Sequence, residues 1–176
     1  ALPSRRATVA SGLLLALAAG VLRIRPLGAP DTWWHLNIGR IVLETGQRRF
    51  PDRMAIEVKE QFVAGEWGFD VVAWLLYDVG GPDLLVLFAA LAASLSCLLV
   101  WRLARDGAPD RPWTALLITG AVVAATSWRF FPRPHILFLC FLPGALILAR
   151  RAARSTDAAM RRRWLLGLLA LVGLWA

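Results

Sequence analysis

The sequence predicts an all-α fold, a polytopic transmembrane helix bundle, and three observations lead there. Hydrophobic residues make up 58% of the 176-residue chain and charged residues only 18%, against about 45–50% and about 25% in soluble domains. The apolar residues gather into five blocks separated by clusters of arginine, aspartate and proline. Trp101, Trp113, Trp128 and Trp164 each stand at the end of a block, where the aromatic belt of a membrane–water boundary would put them.

The five blocks cover residues 8–22, 84–101, 113–128, 135–149 and 164–176. The first is short for an upright span, but Arg23 and Arg25 can reach outward to the interface. Arg5 and Arg6 ahead of an apolar run that ends near Ala18-Ala19-Gly20 also fit a secretory signal; the later blocks favour a retained first span. The fifth block holds 13 residues, too few at a rise of about 1.5 Å per residue for a hydrocarbon core about 30 Å thick. Continuation beyond Ala176 is therefore expected, with residues 1–176 as one transmembrane domain in the N-terminal part of a longer protein. Neither an internal repeat nor a Gly/Ser linker divides it.

Orientation follows from charge. With the N-terminus in the cytoplasm and the spans alternating, segments 1–7, 102–112 and 150–163 lie inside and carry 11 basic against 3 acidic residues. Segments 23–83 and 129–135 lie outside and carry 9 of each. This is a positive-inside bias, and it points to a multi-pass protein of a bacterial inner membrane with an extracytoplasmic loop at residues 23–83. The net charge of +8 sits in bursts between apolar blocks, which fits anionic membrane lipids and excludes nucleic acid as a partner. Cys97 and Cys140 lie within apolar runs and read as small buried hydrophobes.

The outside loop carries the polar chemistry. Pro30 to Glu44 reads as a helix begun by Asp31 and ended by Gly46 in the left-handed conformation. Trp34, Ile38, Ile41 and Val42 form its apolar stripe, with Asn37, Arg40 and Glu44 opposite, so the helix should lie along the membrane surface. Asp31 and His35 fall at the edge of the stripe, one turn apart. One reading is a helix cap and an interfacial histidine; the other is a carboxylate beside an imidazole, serving as general base in a cleft. Two such groups are too few to assign a metal, so a divalent cofactor stays open.

Residues 48–62 read as irregular, with a turn at Pro51-Asp52. A second short helix spans Glu66 to Tyr77 and closes at Gly80-Gly81-Pro82. It is apolar nearly all round and so buried or embedded. Glu66 and Asp70 near its start suit the helix dipole; Asp70 reads as structural, and Glu66 is a candidate catalytic acid. The connection Arg129-Phe130-Phe131-Pro132-Arg133-Pro134-His135 offers two arginines and a histidine on a proline-stiffened backbone, either as a phosphate-binding turn or as an interfacial anchor.

The run Asp31-Thr32-Trp33-Trp34-His35-Leu36 with Gly39, the Pro51-Asp52 turn, the Trp67 to Leu75 helix and Arg133-Pro134-His135 opening a span together resemble bacterial proteins of the GT-C glycosyltransferase superfamily. The resemblance covers most of residues 8–149. It implies two membrane-surface helices in the first outside loop and transfer of a sugar from a polyprenyl-phosphate carrier on the extracytoplasmic face. It further implies Asp31 as the base; His35 and Glu66 are catalytic candidates from the residues themselves. Arg133, with Arg129 and His135, would hold the lipid phosphate; Trp34 and Trp67 are candidate substrate-binding residues from the loop sequence itself. The acidic motif here is a single Asp followed by Thr, without a second adjacent carboxylate.

A contrasting reading is a non-catalytic accessory subunit of a respiratory or photosynthetic membrane complex, its tryptophans serving as contact surface for other subunits. A transporter fits less well, because the spans carry almost no ionisable residue at mid-membrane.

Overall fold

The computed structural model describes residues 5–28, 30–51, 61–129 and 131–175. Within them are six helices and one two-stranded sheet: α1 (Arg5–Val21), α2 (Pro30–Thr45), β1 (Arg49–Pro51), β2 (Gln61–Val63), α3 (Trp67–Gly107), α4 (Pro112–Thr126), α5 (His135–Arg154) and α6 (Ala158–Trp175). The all-α class is thus observed. The chain resolves into two compact units, one of residues 1–24, 89–130 and 135–176 and the other of residues 25–88 and 131–134.

Each of the five apolar blocks contributes a helix, but among the described residues only α3 and α5 are long and apolar enough to cross a membrane. Helices α1 and α4, with 17 and 15 residues, span roughly 22–26 Å at 1.5 Å per residue, short of a hydrocarbon core of about 30 Å. Helix α6 starts ahead of its apolar run and takes Arg161, Arg162 and Arg163 into its first turns. Of the five hydrophobic segments expected, the last of them incomplete, all are helical among the described residues and two reach spanning length.

In the helical unit, small residues line the contacts. A side chain at Gly12 would run into the Trp101 ring, and one at Gly20 would meet Ser94 and the Ala90 carbonyl. Ala16, Ala19 and Cys97 form a buried cluster, and Ala89, Ala90, Ala92 and Ala93 are also buried. Small residues let helix backbones approach closely, the packing mode of helices in lipid. Three polar groups bridge α3 and α5 among the described residues: Ser96 Oγ donates to the Leu139 carbonyl at 2.9 Å, Cys140 Sγ to the Ala92 carbonyl at 3.3 Å, and Arg150 Nη1 to the Leu103 carbonyl at 3.1 Å. Large apolar residues face outward instead, with Leu14 66% and Leu117 75% exposed.

These contacts set the helix directions. Gly12 against Trp101 and Gly20 against Ala90 make α1 antiparallel to α3. The Ser96–Leu139 and Arg150–Leu103 bonds make α3 and α5 parallel. Gly144 against Leu171 and Gly167 against Leu148 make α6 antiparallel to α5. Arg23, just past α1, donates to the Ser127 carbonyl just past α4, so those two helices run the same way.

In the loop unit, α2 ends as expected: Gly46 has φ +68°, and its N–H donates to the Val42 carbonyl at 2.9 Å. The flanking segment differs from the irregular loop expected at residues 48–62. β1 and β2 pair antiparallel, with Phe50 opposite Phe62 and Pro51 opposite Gln61 at the end of the ladder. The two rings lie 5.4 Å apart, and this cross-strand pair gives the short ladder its apolar side. Phe50 joins Ile38, Val42 and Ala64 in a small core. Asp52 lies outside the described residues.

The second loop helix ends where the sequence places its end, at Gly80-Gly81-Pro82, and the next helix follows without an intervening loop. Both belong to α3, broken at Gly81, whose φ of 62° and ψ of −157° are non-helical. Only glycine adopts that backbone readily, and Pro82 keeps the residue before it out of the helical region. The expected closing signal at Gly80-Gly81-Pro82 therefore acts as a kink.

Candidate functional site

Helix α2 buries Thr32, Leu36, Ile38, Gly39 and Val42. Relative to the stripe expected through Trp34 and Ile41, the buried face is turned by roughly one residue, or about 100°. Trp34 is exposed and makes an edge contact with Phe62 at 5.7 Å. The cause lies at Gly39, where any Cβ would run into the Asp70 carbonyl. Helix α2 and the first turn of α3 approach backbone to backbone there, and the face that can do so carries Gly39, Thr32 and, between them, His35.

That approach makes a buried polar contact. His35 Nδ1 donates to Asp70 Oδ1 at 2.7 Å, with the His35 side chain 13% exposed and Asp70 2%. Phe69 meets the His35 ring edge-on at 5.6 Å. Because the carboxylate accepts, the hydrogen sits on Nδ1, and a neutral ring then presents Nε2 as an acceptor. Asp31, one turn earlier, does not pair with His35. Its Oδ2 lies 3.0 Å from Arg133 Nη2.

Arg133 reaches this position from the turn after α4. Its N–H donates to the Phe131 carbonyl at 2.7 Å, closing a tight turn through Pro132. One face of its guanidinium fork is used by Asp31, while Nε is buried without a protein partner. The Thr32 hydroxyl, beside Asp31 in sequence, is likewise buried and unpartnered. Buried polar groups are normally hydrogen-bonded, so two such atoms in one small unit are unusual.

The loop unit thus brings together Asp31 with Arg133 and His35 with Asp70. Trp34 packs on the hairpin, and Trp67 lies under the Arg48 guanidinium at 5.2 Å. Glu66 is exposed just ahead of α3, its carbonyl accepting the Asp70 N–H at 3.1 Å. Arg129 and His135 belong to the other unit, where His135 Nε2 donates to the Arg129 carbonyl at 2.6 Å. The residue that the sequence reading left as structural is Asp70. Its signal was an acid within a helix apolar nearly all round, since a buried carboxylate needs a partner. Among the described residues, no three His, Cys, Asp or Glu side chains converge to hold a metal ion. Against models of known families, curated proteins and solved structures, the chain shows no match.

Proposed function

We propose that this chain is a GT-C-like membrane glycosyltransferase, or the part of one that carries the acidic loop, acting on a polyprenyl-phosphate-linked sugar at the extracytoplasmic face of a bacterial inner membrane. The observation that carries this reading is the 3.0 Å pairing of Asp31 with Arg133, an acid and a guanidinium from distant parts of the sequence. Each is suited to one half of glycosyl transfer.

In that reading the donor phosphate takes the Arg133 fork, which matches phosphate oxygens in pairs. Arg133 Nε supplies a further unpartnered donor. Asp31, displaced from the guanidinium, accepts the proton of the acceptor hydroxyl. The acceptor oxygen bonds to the anomeric carbon as the bond from that carbon to the phosphate oxygen breaks, and the electron pair leaves on the phosphate held by Arg133. His35, fixed by Asp70, orients the acceptor through Nε2. The alternating helix directions also suit a multi-pass topology with the N-terminus cytoplasmic, because they gather the basic segments at one end.

Sugar transfer from a radiolabelled polyprenyl-phosphate donor, assayed in membranes containing the protein, tests the reading. Asp31→Asn is expected to lower transfer by about 10²-fold or more while leaving the protein folded. Undiminished transfer by that variant removes Asp31 as the base. Absence of transfer by the unaltered protein, together with its co-purification in a respiratory or photosynthetic assembly, establishes the accessory-subunit reading instead.

A further inference from the structure

A second polar feature lies in the helical unit, apart from the loop chemistry. Where α1 begins and α3 and α5 end, a cavity of about 580 Å³ opens. That volume is within the range of about 300–1,000 Å³ typical of small-ligand sites. Its charged lining is Arg102, Arg105 and Asp106 from the last turns of α3 and Arg154 from the end of α5, with Trp101 as its aromatic wall.

Arginines at helix C-termini and at the ends of spans have ordinary explanations in the helix dipole and the membrane interface. Neighbouring arginines here conform to them: Arg150 Nη1 donates to the Leu103 carbonyl at 3.1 Å, and Arg151 stacks on Trp164 at 4.8 Å. The cavity arginines differ. Among the described residues, none of the three is ion-paired with a carboxylate, Asp106 included. Arg102 and Arg154 are exposed and Arg105 is half-buried, so three guanidiniums against a single acid make a solvent-facing cationic hollow that attracts an anion.

The wall is built rather than incidental. A Cβ at position 12 would approach the Trp101 ring carbons to 2.5–2.8 Å, so Gly12 is what seats the indole against α1. The ring in turn holds Arg105, whose guanidinium lies 5.4 Å over it. Trp101 is nine-tenths buried, and its indole N–H has no acceptor among the described residues. The cavity therefore combines fork-shaped cations, one of them pre-oriented by an aromatic ring, with a fixed aromatic wall.

We propose that this cavity is a phosphate-binding site, taking the phosphate group of an anionic lipid headgroup or of a soluble phosphate compound. Guanidinium forks match phosphate oxygens two at a time, and a dedicated pocket holds one group more tightly than a diffuse basic edge would. The site is independent of the glycosyl-transfer reading.

The test uses the whole chain in neutral detergent, with native mass spectrometry reading retained phosphatidylglycerol and phosphorus NMR reading inorganic phosphate. Arg102→Gln combined with Arg154→Gln is expected to weaken binding about ten-fold. Arg161→Gln, Arg162→Gln and Arg163→Gln together remove more charge from outside the cavity and are expected to change binding by less than about three-fold. Retention of the lipid alone identifies a headgroup site; binding of both probes identifies a site open to soluble phosphates. If the triple variant loses as much as the double, or if neither probe binds better than phosphatidylcholine, the proposal is overturned. Should the glutamine pair fail to fold, Arg102→Lys with Arg154→Lys keeps the charge and removes the fork. That pair is expected to weaken binding several-fold, and unchanged binding overturns the proposal equally.

Discussion

His35 and Asp70, from two helices that touch at Gly39, share a 2.7 Å hydrogen bond with the carboxylate almost fully buried. The bond fixes the imidazole tautomer and satisfies an acid that would otherwise be costly to bury. Asp70→Ala should therefore destabilise the protein by about 1–3 kcal/mol, the cost of leaving a buried polar partner unpaired. Asp70→Asn, which still accepts a hydrogen bond, should lose less. Thermal unfolding in detergent, followed by near-ultraviolet circular dichroism, measures both, and equal losses would show that hydrogen bonding contributes nothing beyond shape.

The close approach that creates this pair depends on the missing side chain of Gly39. Gly39→Ala should cost about 1–3 kcal/mol through overpacking and should shift the His35 imidazole nitrogen resonances as α2 is pushed away from Asp70. Gly46→Ala provides the contrast. Nothing lies within 4 Å of a Cβ there, but φ is +68°, so the cost should be about 1–2 kcal/mol of backbone strain, with the His35 resonances unmoved.

The Asp31–Arg133 pair is half-exposed, at 58% and 31%, and ion pairs of that kind contribute little to stability. Exchanging the two residues, Asp31→Arg with Arg133→Asp, should leave the unfolding midpoint nearly unchanged. If the pair serves glycosyl transfer, the exchange should nevertheless abolish sugar transfer, because base and phosphate ligand change places. A swapped protein with normal transfer would reduce the pair to a structural tie.

Within the helical unit, Gly12→Leu should destabilise by about 1–3 kcal/mol as the side chain meets Trp101. Gly120→Leu, with nothing within 4 Å of a Cβ, should be neutral or stabilising, since leucine is the better helix former. Denaturation of the two variants side by side separates packing from propensity. Equal effects would argue against the α1–α3 seam.

Several features were legible before any fold was known. Apolar blocks bounded by tryptophan became helices, Gly80-Gly81-Pro82 became a break, and Gly46 became a left-handed helix end. These depend on neighbours a few residues apart, so a linear pattern suffices. Asp31 and Arg133 were each singled out by chemistry, but their pairing was not legible, because it rests on where the turn after α4 delivers Arg133. The hairpin was missed for a different reason: each strand has three residues, too few to show an alternation.

By itself the sequence determined the helical class, the breaks between helices and the segregation of arginine into bursts, since periodicity and charge are properties of the chain read locally. Tertiary structure alone decided which face of α2 is buried, and that His35 belongs to Asp70 and Asp31 to Arg133. The reason is steric. A helix offers several faces, and the one that packs is chosen by where two backbones can come close, which Gly39 allows only against Asp70.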